Sequence, residues 1–186
     1  MRFISDFHQN RRLMKGINNT FIAFIPKIDS PQWLNDFRPI SLIASLYKVL
    51  VKSLTNRLWK VIRSVIFESQ STFVRGRQIL DGILVVNVVV DEARKRKKEF
   101  LLFKVDFEKA YDLVDWRYLD DVMGKMLFQT LWRKWMKECT ETTTTSTLVN
   151  KSPTEELFME MGLRQGDPLS PFLFLFAVEG FHVSGW

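Results

Sequence analysis

The fold is decided by one stretch of the sequence, Gly162-Leu163-Arg164-Gln165-Gly166-Asp167-Pro168-Leu169-Ser170-Pro171. Upstream of it a single carboxylate, Asp106, closes the apolar run Phe100–Val105. That run predicts a strand buried on both faces, and the end of such a strand is a rigid mount for a metal-binding oxygen. Asp106 is therefore a candidate metal ligand, with the main-chain carbonyl of Phe107 beside it. One aspartate in this position is weak evidence by itself, because many α/β proteins place one there.

The composition indicates one intracellular domain of ordinary size. The chain has 186 residues, and 46% of them are apolar, which is enough to build a core. A single cysteine, Cys139, excludes an internal disulfide and fits a reducing compartment, either nucleus or cytoplasm. No apolar run approaches the roughly 20 residues that span a bilayer, and the N-terminus lacks the apolar core of a signal peptide. We therefore expect no membrane partner.

Charge is distributed unevenly along the chain. The net charge is +6; residues 1–99 carry 18 Lys and Arg against 8 Asp and Glu, and residues 100–186 carry 9 against 13. A basic half beside an acidic half suits a protein that meets phosphates with the first part and holds metal-binding carboxylates in the second. Ordinary solvated surface would give the same counts, so charge alone does not indicate nucleic acid.

The first half of the chain predicts a strand, a loop and a long helix. Thr20–Pro26 is short, apolar and rich in strand formers, and Asp29–Pro39 contains two prolines and predicts a loop. From Ser41, interpreted as the N-cap, helical spacing continues for about six turns. The apolar stripe of this helix comprises Leu42, Leu46, Leu50, Leu54, Leu58, Ile62 and Val65. Lys48, Lys52, Lys60 and Arg63 lie outside this stripe. They predict that the helix exposes a basic face.

The second half predicts alternating helices and strands. A polar connection, Glu68–Ile79, leads to a helix capped by Asp81 and ending near Lys98, although its β-branched first half is also compatible with a strand. Further helices are predicted over Glu108–Phe128, Thr130–Cys139 and Pro168–His182, and strands over Thr142–Val149 and Leu157–Met161.

The tract Tyr118-Leu119-Asp120-Asp121 has the letters of a metal-binding Y-x-D-D tract. It lies inside a helical pattern, however, where consecutive side chains point in different directions. We interpret Asp120 and Asp121 as two exposed acids on a helix.

Five ordered blocks resemble the reverse transcriptase domain of LINE-type (non-LTR) retrotransposons, most closely the plant versions. They are Phe24–Lys27, Asp36–Leu42, Gln70–Arg77, Asp106–Asp112 and Gly162–Pro171. The resemblance covers residues 18–182, preceded by an N-terminal extension, 1–17, and followed by a divergent tail, 183–186. It implies an α+β fold of helical fingers and a partial palm, in which an antiparallel sheet carries helices packed on one side.

The resemblance also implies site residues. Asp106 matches the first metal-binding aspartate and Phe107 would lend its carbonyl to Mg²⁺. Arg38 would grip the incoming triphosphate, a role suited to guanidinium, and Tyr111 would exclude a ribose 2′-OH. Gln165 and Gly166 would line the nucleotide and template, where glycine permits close backbone approach. The residues implied to contact template or nucleic acid are Arg75, Arg77 and Arg164.

The sequence departs from the family at several positions. No Y-x-D-D tract follows Pro171, and Leu127 and Lys151 occupy positions where the family usually has glycine. These departures predict a copy truncated before its Y-x-D-D block.

The implied activity is RNA-directed DNA polymerase by descent, with RNA template, DNA primer and deoxynucleoside triphosphates as partners. With one of three catalytic aspartates, we expect no polymerisation by this chain alone, because phosphoryl transfer relies on positioned metals. One alternative is a non-catalytic nucleic-acid-binding remnant. Another is a product that folds marginally and has no function.

Overall fold

A computed structural model describes residues 2–67, 79–101 and 109–183. All of the predicted connection Glu68–Ile79 except Ile79, and most of the predicted buried strand Phe100–Val105, lie outside these residues. Phe100 and Leu101 are described, and both are irregular and exposed. The described ranges contain no helix long and apolar enough to cross a membrane.

The described part of the chain contains six α-helices, one short 3₁₀-helix (Leu34–Asp36) and five strands. The helices are α1 (Arg2–Asn10), α2 (Ser45–Val65), α3 (Ile79–Arg96), α4 (Trp116–Lys125), α5 (Thr130–Glu141) and α6 (Ser170–Val183). The strands are β1 (Asn19–Pro26), β2 (Phe37–Ile43), β3 (Thr144–Val149), β4 (Ser152–Pro153) and β5 (Leu157–Phe158). The predicted strand at residue 20, the helices near residues 80, 130 and 170, and the strand in the threonine tract are confirmed. For α3, the helix and not the strand alternative is correct.

The sheet is mixed, with strand order β2-β1-β3-β4 and β5 paired to β3. The prediction of an antiparallel sheet is therefore wrong for one pairing, since β1 and β3 run parallel from Asn19 beside Thr144 to Ile22 beside Thr147. Parallel neighbours need a long crossover connection, and helices between β2 and β3 provide it. The fold class, a sheet with packed helices, agrees with the prediction.

Strand β2 replaces the predicted start of the long helix. Ser41 is not an N-cap, because it pairs with Ile22 in an antiparallel ladder that runs from Thr20 beside Ile43 to Pro26 beside Phe37. The helix begins only at Ser45. Pro39 fits β2 because β2 is an edge strand, where the missing N–H costs no ladder bond.

Helix α2 supplies the centre of the core. Its apolar stripe buries Leu50, Leu54, Leu58 and Ile62 as predicted, and Tyr47 is fully buried beside them. Leu42 and Leu46, the first two members of the predicted stripe, are exposed. The core also contains side chains from the other packed helices, namely Phe7, Leu119, Met123, Trp135, Leu173 and Phe176.

Helix α4 is shorter than the predicted helix Glu108–Phe128. Asp115 interrupts the pattern because its carboxylate accepts the N–H of Tyr118 at 2.8 Å, the geometry of an N-cap. Lys109–Leu113 forms turns ahead of this cap. The shorter helix leaves that turn segment available to contact the Gly162–Pro171 loop.

Leu127 and Lys151 occupy the two positions where the related family usually has glycine. Both residues have a left-handed backbone conformation. Asn150 and Lys151, with φ of 51° and 65°, form the two-residue turn between β3 and β4. Leu127 has φ of 60° directly after α4. There the Phe128 N–H donates to the Met123 carbonyl and the Leu127 N–H to the Gly124 carbonyl, which is a Schellman motif.

We expect Leu127→Gly to stabilise the chain by about 1 kcal/mol, since glycine adopts this conformation without the Cβ penalty. The Leu127 side chain is 88% exposed, so its removal sacrifices little packing. Urea unfolding of the two proteins measures the difference. A lower midpoint for Leu127→Gly would contradict the prediction.

Candidate functional site

The loop between β5 and α6 contains the Gly162–Pro171 stretch and is anchored by its main chain. The Gly162 N–H donates to the Val114 carbonyl at 2.8 Å, and the Leu163 N–H donates to the Tyr111 carbonyl at 2.8 Å. On the other side, the Ser41 N–H of β2 donates to the Gln165 carbonyl at 3.0 Å. The loop therefore joins the turn segment before α4 to the edge strand of the sheet.

Arg164 secures this loop from inside the protein. The residue is 6% exposed, and its Nη2 lies 2.8 Å from Asp167 Oδ2. Its Nη1 donates to Thr20 Oγ1 at 2.9 Å, and the guanidinium lies 4.4 Å from the centre of the Tyr47 ring. A buried charge is tolerated only when it is paired and hydrogen-bonded, and Arg164 is both. It therefore ties the loop to β1 and α2.

Asp167 connects the same ion pair to α6. Its Oδ1 accepts the Leu169 N–H at 2.9 Å, and its main-chain carbonyl accepts the Ser170 N–H at 3.1 Å. Negative charge is favourable near a helix N-terminus because the first N–H groups have no partner within the helix. Asp167 therefore holds the start of α6 against the loop.

Neutral polar groups lie beneath the loop. The Tyr47 hydroxyl donates to the Cys139 carbonyl at 3.2 Å, and Asn18 Nδ2 donates to the same carbonyl at 3.1 Å. Burial raises the pKa of the Cys139 thiol to about 12 and raises that of Tyr47 well above its usual value. Both groups therefore stay uncharged at neutral pH.

Two glycines allow the loop to approach its neighbours. Gly162 has φ of 87°, and a Cβ there would lie 2.9 Å from the Asp112 carbonyl oxygen. Gly166 has φ of 97°, and a Cβ there would lie 3.4 Å from the Ser41 carbonyl oxygen. Gly162 thus satisfies both a left-handed backbone and a close approach, which no other residue does without strain.

An open cleft of about 610 Å³ lies between the β1–β2 hairpin and this loop. Three cationic side chains line it, Lys27, Arg38 and Lys109, together with the carboxylate of Asp112 and the amide of Gln165. Cations outnumber carboxylates in this lining, and guanidinium and ammonium groups are the usual partners of phosphate oxygens. The cleft therefore suits a polyanionic ligand.

Comparison with known proteins supports the sequence-based resemblance. The sequence model of the family described as "Reverse transcriptase (RNA-dependent DNA polymerase)" matches residues 25–182. The chain belongs to the reverse transcriptase family. Relatives named for the non-LTR elements TX1 and R2 confirm the LINE-type assignment, whereas the plant-like character stays a prediction.

Three relatives illustrate the similarity. The chain is 28% identical over 97% of its length to "Transposon TX1 uncharacterized 149 kDa protein" of Xenopus laevis. It is 25% identical over 82% of its length to the retrovirus-related Pol polyprotein from type-1 retrotransposable element R2 of Popillia japonica. It is 28% identical over 82% to the Pol polyprotein from type-2 element R2DM of Drosophila melanogaster. The chain spans 14%, 21% and 14% of these proteins, respectively.

The structure brings some predicted site residues together. Arg38 and Gln165, which are far apart in the sequence, line the same cleft. Arg164 lies inside the protein, unlike the template contact that the resemblance implies, because Asp167, Thr20 and Tyr47 occupy its guanidinium. The predicted residues Arg75, Arg77, Asp106 and Phe107 lie outside the described residues.

The cleft contains residues to which the sequence assigned no role. Lys27, Lys109 and Asp112 line it. Each of the three residues belongs to a block that carries the family resemblance. The sequence therefore contained a motif that could have identified them as site residues. Their position in one cleft with Gln165 depends on tertiary packing, which no local pattern reveals.

Tyr111 precedes Asp112 in the sequence but is not among the residues that line the cleft. Its ring packs against Phe174 of α6 in an edge-to-face arrangement, with centroids 5.3 Å apart. Burial raises the pKa of Tyr111, so the phenol is neutral. Packing thus fixes the orientation of the ring against α6.

The tract Tyr118–Asp121 lies within α4, as predicted. Asp120 is paired with Arg133 through two hydrogen bonds, of 2.8 Å to Nε and 2.6 Å to Nη2. These bonds lower the pKa of Asp120. Asp121 is exposed, whereas Asp120 is half-buried, so the expectation of two exposed acids holds for Asp121 only.

A divalent metal is implied by the family, and the described residues do not by themselves fit one. Among residues 2–67, 79–101 and 109–183, no three His, Cys, Asp or Glu side chains converge in a metal-binding arrangement. The described cleft lining has one carboxylate, Asp112, whereas Mg²⁺ is normally held by several oxygen ligands.

Proposed function

We propose that this chain is the nucleotide-binding part of an RNA-directed DNA polymerase from a LINE-type retrotransposon. One observation carries the proposal: Arg38 and Gln165, assigned to the nucleotide by the family resemblance, line one cationic cleft with Lys27 and Lys109. The substrates proposed are a deoxynucleoside triphosphate, an RNA template and a DNA primer. The reaction is attack of the primer 3′-OH on the α-phosphate, with release of pyrophosphate.

The cations of the cleft are proposed to bind the triphosphate. The Arg38 guanidinium can donate two parallel hydrogen bonds to phosphate oxygens. Lys27 Nζ donates to the Asn35 carbonyl at 2.8 Å. Because an ammonium group has three donors, two remain for hydrogen bonds to phosphate oxygens. Fixed positive charge near the leaving pyrophosphate stabilises the charge that develops there.

The remaining roles rest on the resemblance. Tyr111 is proposed to face the sugar and to reject a ribose 2′-OH, and Gln165 and Gly166 to line the nucleotide and template. Asp106, the Phe107 carbonyl and Mg²⁺ are proposed for the metal site, and Arg75 and Arg77 for contacts with nucleic acid. Arg164 is proposed to act indirectly, by fixing the loop that presents Gln165.

Binding of deoxythymidine triphosphate to the purified chain tests the proposal. We expect Arg38→Ala to weaken binding about tenfold, because hydrogen bonds to charged groups contribute about 1.5–3 kcal/mol. Arg117→Ala is the matched control, since Arg117 is exposed on α4 outside the cleft lining. Isothermal titration calorimetry gives both affinities. Equal affinities in Arg38→Ala and the unchanged chain would contradict this use of the cleft.

A second function is favoured by the surface of α2. Lys48, Lys52, Lys60 and Arg63 are exposed on the face opposite the core, which suits non-catalytic binding of a phosphate backbone. RNA binding that weakens steeply with salt and survives Asp106→Asn, without binding of deoxythymidine triphosphate, would favour this alternative. Binding of deoxythymidine triphosphate that Arg38→Ala weakens would favour the nucleotide-binding part of a polymerase.

A further inference from the structure

A large aromatic side chain is presented to solvent at the tip of the β1–β2 hairpin. Trp33 is 77% exposed, and the adjacent Leu34 is 70% exposed. Tryptophan is usually buried to a large extent, since its indole ring carries a large apolar area. An indole held in solvent on a hairpin tip is therefore a candidate contact surface.

The hairpin tip is held in one conformation by hydrogen bonds. The Asp36 carboxylate accepts the N–H groups of Gln32 and Trp33, each at 2.9 Å. The Lys27 N–H donates to the Asp36 carbonyl at 2.7 Å, and Lys27 Nζ donates to the Asn35 carbonyl at 2.8 Å. The backbone of Trp33 is thus already ordered, which lowers the entropic cost of a contact made by its side chain.

The residue that carries the exposed indole is adjacent in sequence to the lining of the cationic cleft. Leu34, the next residue, lines that cleft together with Phe24, Phe37 and Arg38. The rings of Phe24 and Phe37 pack edge to face, with centroids 6.3 Å apart. Aromatic side chains beside cations are the pattern of sites for single-stranded nucleic acid, in which bases stack on rings and cations follow the phosphates.

We propose that Trp33 is a stacking platform for an unpaired base of single-stranded RNA at the mouth of the cleft. This inference rests on the proposed function and adds a contact to which the family blocks assign no role. The indole face supplies the apolar contact, and Arg38 and Lys27, which line the cleft with Leu34, supply the positive charge for the adjoining backbone.

The test compares variants at two exposed aromatic residues, one in the β1–β2 hairpin loop and one in β5. Trp33→Ala removes the proposed platform, and Trp33→Phe retains a ring. Phe158→Ala is the matched control, because Phe158 is also 77% exposed and lies in β5, separated from β2 by β1 and β3. Both positions are at the surface, so the three variants are expected to fold.

The measurement is fluorescence anisotropy of a labelled single-stranded RNA and of an abasic oligonucleotide of equal length, over a series of salt concentrations. We expect Trp33→Ala to weaken RNA binding about tenfold at every salt concentration, with an unchanged salt dependence. Trp33→Phe should remain within about threefold of the unchanged chain. Phe158→Ala should have no effect, and the abasic probe should bind all variants alike.

Unchanged RNA affinity in Trp33→Ala would overturn the inference and leave a protein contact as the explanation for the exposed indole. An equal loss with the abasic probe, or with Phe158→Ala, would also overturn it. Failure of the unchanged chain to bind RNA at any salt concentration would contradict nucleic-acid binding itself, and the proposed function with it.

Discussion

Replacing Arg164 by methionine is expected to destabilise the chain by about 3–5 kcal/mol. The substitution leaves the Asp167 carboxylate buried without the cation at 2.8 Å that compensates its charge. It also removes the donor to Thr20, while methionine retains an apolar contact with the Tyr47 ring. The loss is expected to exceed that of any single surface substitution because an unpaired buried charge has lost its hydration without a replacement.

A double-mutant cycle isolates the ion pair. Asp167→Asn keeps an oxygen for the Leu169 N–H but removes the charge. We expect Arg164→Met/Asp167→Asn to be less destabilised than the sum of the two single variants, since neither buried charge remains. Urea unfolding of the four proteins gives the coupling energy.

The same variants separate two roles for Arg164. A structural role predicts a large loss of stability in Arg164→Met. A direct template contact, which the resemblance implies, predicts near-normal stability together with weaker RNA binding. Stability within about 1 kcal/mol of the unchanged chain would contradict the structural role, given the usual cost of breaking a buried pair.

Replacing Gly162 by alanine is expected to destabilise the chain by about 2–4 kcal/mol. One part of this cost is the left-handed backbone, with φ of 87°. The other part is the new methyl group, which would lie 2.9 Å from the Asp112 carbonyl oxygen and 3.2 Å from its Cα. Because these neighbours are backbone atoms, relief requires a shift of the segment before α4.

Gly16→Ala is the matched control for this prediction. Gly16 has φ of 82°, and a Cβ there would meet nothing within 4 Å. It should therefore cost only the conformational part, about 1–2 kcal/mol. The difference between the two variants in thermal or urea unfolding measures the close approach at Gly162. Equal destabilisation would show that the approach carries no cost.

Elements governed by local periodicity could be predicted from the sequence. The apolar residues of α2 from Leu50 to Ile62 recur with helical spacing, and the structure buries them on one face. The start of this helix could not be predicted, because Leu42 fits a helical stripe and a strand equally well. Pairing with Phe21 of β1 decides for the strand, and that contact is non-local.

The candidate site was predictable in its residues but not in its assembly. Arg38 and Gln165 were identified from motifs, and Lys27, Lys109 and Asp112 were given no role until the cleft brought them together. Arg164 differs from these residues, because its role was predicted from the motif and its position in the structure is different. The motif predicts that its cationic side chain contacts the template. Only the position of Asp167, Thr20 and Tyr47 around it reveals that its partners are internal.

The sequence by itself determined the family, the blocks that carry the resemblance to it, and the elements whose side-chain spacing follows a helical or strand period. The tertiary structure decided that β1 and β3 run parallel, that Arg164 faces the interior, and that the cationic cleft has three cations from separate segments. The physical reason is that periodicity reports which face of an element is buried, a property of neighbouring residues. The partner of a charge or a strand edge depends on segments far along the chain, which only the packed core brings into contact.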